Sequence, residues 1–179
     1  LAGFVIFWFV LADLLDSGGS TMSIGWLVAG DVRLTWGMIV DPLSVTMLGL
    51  VTVVALGVQV YSLGYMAGSP RLGWYFAVHS LFAAAMLALV LADNLLFLYI
   101  AWELVGACSY LLIGFWYERR SAAEAAKKAF ITTRVGDVGL LIGILLLFRE
   151  TGSFELANIF RAAEYGGISE GILITSTLL

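Results

Sequence analysis

Residues 94–117 read NLLFLYIAWELVGACSYLLIGFWY, and the reading of this stretch decides the fold. At a rise of about 1.5 Å per residue it is long enough to cross a hydrocarbon core roughly 30 Å thick as one helix. Between its ends the one charged side chain is Glu103, nine positions after Asn94 and therefore near the middle of that core. Insertion scales charge about 2.5–3.5 kcal/mol for an acidic residue at this depth, so Glu103 is expected to face protein and to have a partner. Helical spacing names the face. Tyr99, Glu103, Gly106, Tyr110 and Gly114 fall at i−4, i, i+3, i+7 and i+11, a stripe of carboxylate, phenols and glycines that should pack against protein.

The surrounding composition agrees with a membrane setting. The 179 residues are 61% hydrophobic and 12% charged, where a soluble domain carries about 25% charged residues. Mean hydropathy is +1.00. Cys108 is the single cysteine and lies inside the apolar stretch, which excludes an internal disulfide or a cysteine-based metal cluster. A net charge of −4 disfavours nucleic acid as a partner. Both ends fall in apolar sequence, so the chain reads as a single membrane-domain fragment of a longer protein.

Outward from the central stretch, the pattern predicts a helix bundle. Residues 1–12 read as the outgoing end of a span. Period-two alternation at Ile24, Trp26 and Val28, then at Leu34, Trp36 and Met38 across Ala29-Gly30-Asp31-Val32, predicts an external β-hairpin over 23–40. Asp41 followed by Pro42 is a helix start, and the apolar pattern continues as a span over 42–67. Ser69-Pro70 repeats the signal for a span over 70–91, and Asp93-Asn94 turns the chain into the span over 94–117. Ser121-Ala-Ala-Glu124 has the form of a capping box, opening a span over 122–148. A short surface helix over 153–164 and the first half of another span over 168–179 complete the series. Arg71, Arg119, Arg120, Lys127 and Lys128 fall on one side of the membrane against Arg33, Arg149 and Arg161 on the other, which makes the first side cytoplasmic and the hairpin external.

Two more charges lie inside a span, Arg134 and Asp137. At i, i+3 they can pair on their own helix, with Asp137 about 12 Å deep and near the level of Glu103. Such a pair could simply neutralise itself and lock the packing of Gly136, Gly139 and Gly143 against a neighbour. Intramembrane ionisable groups are functional by default, however, so Glu103, Arg134 and Asp137 are the candidates for a proton path. His79, the only histidine, reads instead as a hydrogen-bonded helix residue, as does Gln59, and Cys108 as a small residue permitting close helix approach. The sequence has no phosphate loop, nucleotide fingerprint, Cys-x-x-Cys pair or Ser-His-Asp set, and no motif for a cofactor.

The runs DPLSVTML, YSLGYM, LADNLLFLYIAWELVGACSYLLIGFWY and AFITTRVGDVG closely resemble the antiporter-like membrane subunit L, or subunit 5, of proton-pumping NADH-quinone oxidoreductase, respiratory complex I. The similarity runs from about Ser23 to Phe160, and WELVG with TRVGDVG downstream are its most specific pieces. The resemblance implies an all-α polytopic fold, the start of an antiporter-like inverted repeat with one external hairpin. It implies a subunit of a proton-translocating oxidoreductase with no redox site of its own, in the bacterial inner membrane. NADH, FMN, iron-sulfur clusters and quinone would then belong to the other membrane and peripheral subunits that partner this chain. In that family the glutamate matching Glu103 pairs with a lysine on the next discontinuous helix, here beyond Leu179, and the aspartate matching Asp137, beside Arg134, is tied to proton translocation. Related subunits serve multisubunit cation/proton antiporters and membrane-bound hydrogenases, and a transport-inactive assembly scaffold is a further alternative.

Overall fold

The computed structural model describes residues 2–29 and 32–178. Its elements in chain order are α1 (Ala2–Ser17), β1 (Ser20–Ala29), β2 (Val32–Val40), α2 (Pro42–Tyr65), α3 (Leu72–Val90), α4 (Leu95–Ile113), α5 (Arg120–Thr151), α6 (Leu156–Glu164) and α7 (Glu170–Leu178). Four of these helices, α2 to α5, are long and apolar enough to cross a membrane. The chain is thus an all-α integral membrane bundle carrying one small antiparallel hairpin. Gly30 and Asp31, the expected turn of that hairpin, lie outside the described residues.

Local sequence explains the helix starts. Asp41 accepts from Ser44 N–H at 2.6 Å while the Ser44 hydroxyl accepts from Asp41 N–H at 2.9 Å, a complete capping box ahead of Pro42. Asn94 accepts from Phe97 N–H at 2.8 Å and opens α4. The capping box expected at Ser121 and Glu124 does not form. Helix α5 begins earlier, at Arg120, so Ser121 is already inside its first turn, and Glu124 pairs with Lys127 at 3.2 Å instead. Ser69-Pro70 likewise precedes a turn, and α3 begins at Leu72 after Arg71.

The central helix also differs from its expected length. Helix α4 stops at Ile113, and residues 114–118 form tight turns in which Gly114 N–H donates to Tyr110 O at 3.0 Å and Phe115 N–H to Leu112 O at 3.2 Å. Glycine is a poor helix residue, and the tightened hydrogen bonding ends the helix there. At the far end of α5, Gly152 adopts φ 66°, the left-handed conformation that closes a helix, and its N–H reaches Phe148 O at 2.7 Å.

Packing follows chain order. α1 lies on α2, α2 on α3, α3 on α4, α4 on α5, and α5 on α6 and α7. The hairpin pairs from Ser20 with Val40 to Ala29 with Val32, with an irregularity between Gly25 and Leu27. It is moored to the start of α4: Ile39 N–H donates to Leu91 O at 2.8 Å, and the Asn94 amide donates to Thr35 O at 3.0 Å. The link into α6 meets the same point, with Leu95 N–H on Phe154 O at 2.9 Å and Leu156 N–H on Asp93 O at 3.0 Å. The other end of the bundle is tied by Arg71 and Glu118 at 2.9 Å, with the Arg71 guanidinium over the Phe115 and Tyr117 rings. The hairpin therefore stands at the end opposite the loop joining α4 and α5.

Candidate functional site: the charged cluster between α4 and α5

Helix α4 has two working faces. Phe97, Ala101 and Cys108 are its buried positions, and at about 100° per residue they lie opposite Glu103, on the side turned toward α3. The stripe headed by Glu103 turns toward α5. Tyr110 meets Phe130 with ring centroids 5.3 Å apart, and a Cβ on Gly114 would come within 3.3 Å of the Ala126 Cβ. Small residues let the two helices approach, and the approach brings their charges together.

Arg134 is the hub of that meeting. Its guanidinium forms an ion pair with Glu103, and the same Nη1 lies 3.4 Å from Asp137 Oδ2. The other oxygen of Asp137 accepts from the Trp102 indole N–H at 2.8 Å. Phe130 lies under the guanidinium at 4.5 Å from ring centroid to Cζ, a cation–π contact one turn before Arg134 on its own helix. The Glu103 and Arg134 side chains are a little over a quarter exposed, while that of Asp137 is 7% exposed. Arg134 Nε is buried with no hydrogen-bond partner among the described residues.

The arrangement joins all three candidates from the sequence and adds a residue it did not single out. Glu103 was expected to find a lysine later in the chain, yet among the described residues its partner is Arg134. Trp102 carries no charge, so the cost of a charge in hydrocarbon does not mark it in the sequence. Its signal was available: an indole N–H is a donor that a buried site has to satisfy, and the residue sits next to Glu103 at mid-span. Lys127, on the same side of α5, is exposed and paired with Glu124, outside the cluster. His79 is buried on α3, stacked on Tyr75 at 6.1 Å. Among the described residues its Nδ1 has no hydrogen-bond partner. Among the described residues there is no group of three His, Cys, Asp or Glu side chains placed to hold a metal ion.

Chemically, the cluster holds two carboxylates against one guanidinium. Opposite charges 4 Å apart interact by about 4 kcal/mol at an effective dielectric of 20, so the shared guanidinium holds the two helices' charges together.

Comparison with known proteins gives the cluster a family context. Residues 92–179 match a family model described as NADH:quinone oxidoreductase/Mrp antiporter, TM. Residues 26–76 match one described as NADH-ubiquinone oxidoreductase (complex I), chain 5 N-terminus. The chain is 53% identical over 150 residues to NAD(P)H-quinone oxidoreductase chain 5 of Synechocystis, a match covering 84% of this chain and 22% of that protein. The chloroplastic subunit 5 of Anthoceros angustus is 52% identical, over 83% of this chain and 20% of that one. The chain thus spans about a fifth of the length of these relatives. Among solved structures, a chain of the Mrp complex from Dietzia superposes with a TM-score of 0.80 at 26% identity, covering 99% of this chain and 20% of that chain. An archaeal membrane-bound sulfane sulfur reductase shares the fold, with a TM-score of 0.78 at 16% identity over 98% of this chain and 35% of that chain.

Proposed function

We propose, from the premise that this chain belongs to the family of antiporter-like membrane subunits that includes chain 5 of NAD(P)H-quinone oxidoreductase, that it forms part of the proton-translocating membrane arm of such an oxidoreductase. The observation that carries the reading is the cluster in which Arg134 is shared by Glu103 and Asp137 across two apolar helices. Three charges held between apolar helices at mid-span are expensive to retain without a task.

In this reading the chain moves charge and does no redox chemistry. Nicotinamide oxidation, flavin, iron-sulfur clusters and quinone belong to partner subunits, and energy arrives here as a change in the field on the cluster. Glu103 acts as an electrostatic switch: a shift of the guanidinium between Glu103 and Asp137 changes the field on the lysine after Leu179 with which the family's glutamate pairs, and the lysine's proton moves on. An energy-conserving membrane is the required setting, and the bacterial inner membrane is our assignment.

A subunit of a cation/proton antiporter without redox partners is the second reading, and the fold shared with the Mrp complex supports it. The identity of 53% to an oxidoreductase subunit, against 26% to the Mrp chain, favours the first. An inert scaffold has no reason to retain three charges at mid-span.

Replacing Glu103 with Gln tests the assignment, since it keeps shape and hydrogen-bonding capacity while removing the charge. Proton uptake into vesicles carrying the intact complex, normalised to assembled enzyme, should fall by more than about tenfold, which requires only about 1.4 kcal/mol of lost driving interaction. Pumping at the unaltered rate would remove Glu103 from the mechanism and favour the scaffold.

A further inference from the structure

We propose that Trp102 is a positioning residue for the charged cluster: its indole N–H pins the side chain of Asp137 to α4, so that Arg134 is held within reach of Glu103 and Asp137 together. This rests on the proton-translocation reading of the same cluster.

The two contacts on Asp137 are unequal. The Trp102 indole reaches Oδ1 at 2.8 Å, inside the range of about 2.7–3.2 Å where N–H donors bond oxygen well. Arg134 Nη1 stands 3.4 Å from Oδ2, outside that range, and the same nitrogen pairs with Glu103. Asp137 is therefore oriented by a residue of α4 more firmly than by the arginine of its own helix. With Oδ1 fixed by the indole, the short aspartate stem leaves Oδ2 turned toward Arg134.

No hydroxyl nearby does this work instead. Ser109, Thr132 and Thr133 share the lining of the cleft beside Asp137. Each is engaged on its own helix: Ser109 donates to Val105 O at 3.0 Å, Thr132 to Lys128 O at 2.8 Å and Thr133 to Phe130 O at 2.9 Å. A hydroxyl could also turn round and accept, whereas an indole N–H only donates.

The placement makes a clamp with two points. Trp102 and Glu103 are neighbours on α4, about 100° apart around its axis. They grip Asp137 and Arg134, which lie at i, i+3 on α5. One contact lets two helices roll against each other; two contacts at different angles fix their rotation, and with it the sharing of Arg134.

Proton uptake by the intact complex, normalised to assembled enzyme, tests this with three variants. Trp102→Phe keeps an aromatic ring and removes the donor, and uptake should fall about five- to tenfold, the factor carried by one lost hydrogen bond. Trp102→Gln removes the ring but supplies an amide N–H of similar reach, and should stay within about twofold of the unaltered complex. Asp137→Ala removes the acceptor, so adding Trp102→Phe to it should cause no further loss. Unaltered uptake in Trp102→Phe overturns the inference. So does a Trp102→Gln complex as impaired as Trp102→Phe, or losses from Trp102→Phe and Asp137→Ala that multiply, since each would mean that the ring acts by packing. Should the Trp102 variants fail to assemble, ultraviolet resonance Raman spectra still decide it: an indole should lose its acceptor in Asp137→Ala, and an unchanged spectrum overturns the inference. Uptake at the unaltered rate in Glu103→Gln would instead overturn the proton-translocation reading, while the Raman comparison would still report on the clamp.

Discussion

At the scale of residues, the sharing of Arg134 between two carboxylates orders the effects of substitution. Asp137→Asn should reduce pumping less than Glu103→Gln, because Arg134 keeps its ion pair with Glu103 and the Asn side chain can still accept from the Trp102 indole. Proton uptake by the two variants, compared at equal enzyme, checks the order. Arg134→Ala is expected to do more damage to assembly than either. It leaves two carboxylates without their counter-ion. Breaking a fully buried pair costs about 3–5 kcal/mol, and with 29% of the Arg134 side chain exposed about 1–3 kcal/mol is the expected loss. The yield of intact complex on heating reads this out. His79→Ala should leave pumping nearly unchanged, since His79 sits against Tyr75 on α3 and outside the cluster. Charges in apolar sequence announce themselves, which is why Glu103, Arg134 and Asp137 were legible beforehand. An indole is common in membrane helices, and only its hydrogen bond to Asp137 sets Trp102 apart.

Among elements, the joint at Asp93 and Asn94 matters most. Asn94 is 2% exposed and serves three tasks: it caps α4, donates to Thr35 O in the hairpin, and donates to the Asp93 carboxylate at 2.7 Å. Asn94→Ala should cost the cap, about 1 kcal/mol, and also unmoor the hairpin. Hydrogen exchange at β2 and at the first turn of α4 should rise together; protection retained at β2 would mean that the backbone bonds hold the hairpin alone. Gly37 lies against the pinned Asp93 carboxylate, where any side chain would collide, so Gly37→Ala should loosen the same joint. At the opposite end, the Glu118 carboxyl is held below its ordinary range, first by its own backbone N–H and then by Arg71. A carboxyl with a depressed folded pKa lends stability above its unfolded pKa and loses it as pH falls through the folded value. Protection of the loop between α4 and α5 should therefore weaken on acidification below the ordinary glutamate range, and Glu118→Gln should flatten that dependence.

For the whole molecule, the packing order α1 to α5 forms a bundle with much apolar surface outward, including Ile131, Val135, Val138 and Ile142 on α5. Lipid or neighbouring subunits are the natural cover for such a surface. The oxidoreductase and antiporter readings differ in what those neighbours are. Mass spectrometry of the native complex should find nicotinamide-oxidising peripheral subunits in stoichiometric amounts with this chain; their absence, with cation/proton exchange retained, would favour the antiporter.

The sequence by itself determined the membrane class, the succession of apolar helices, the hairpin and the three intramembrane charges. These follow from local quantities: hydropathy over a span, period two against period 3.6, caps such as Asp41, and the cost of a charge in hydrocarbon. Only the tertiary structure decided how the charges are shared. Arg134 and Asp137 stand three positions apart and could have been a closed pair, but the approach of α4 to α5 turned Arg134 toward Glu103 as well and gave Asp137 the indole of Trp102. Which acid keeps a cation and which receives a neutral donor depends on the rotation and separation of two helices. Those are set by where small residues such as Gly114 meet Ala126, a contact between positions that no local pattern in the chain brings together.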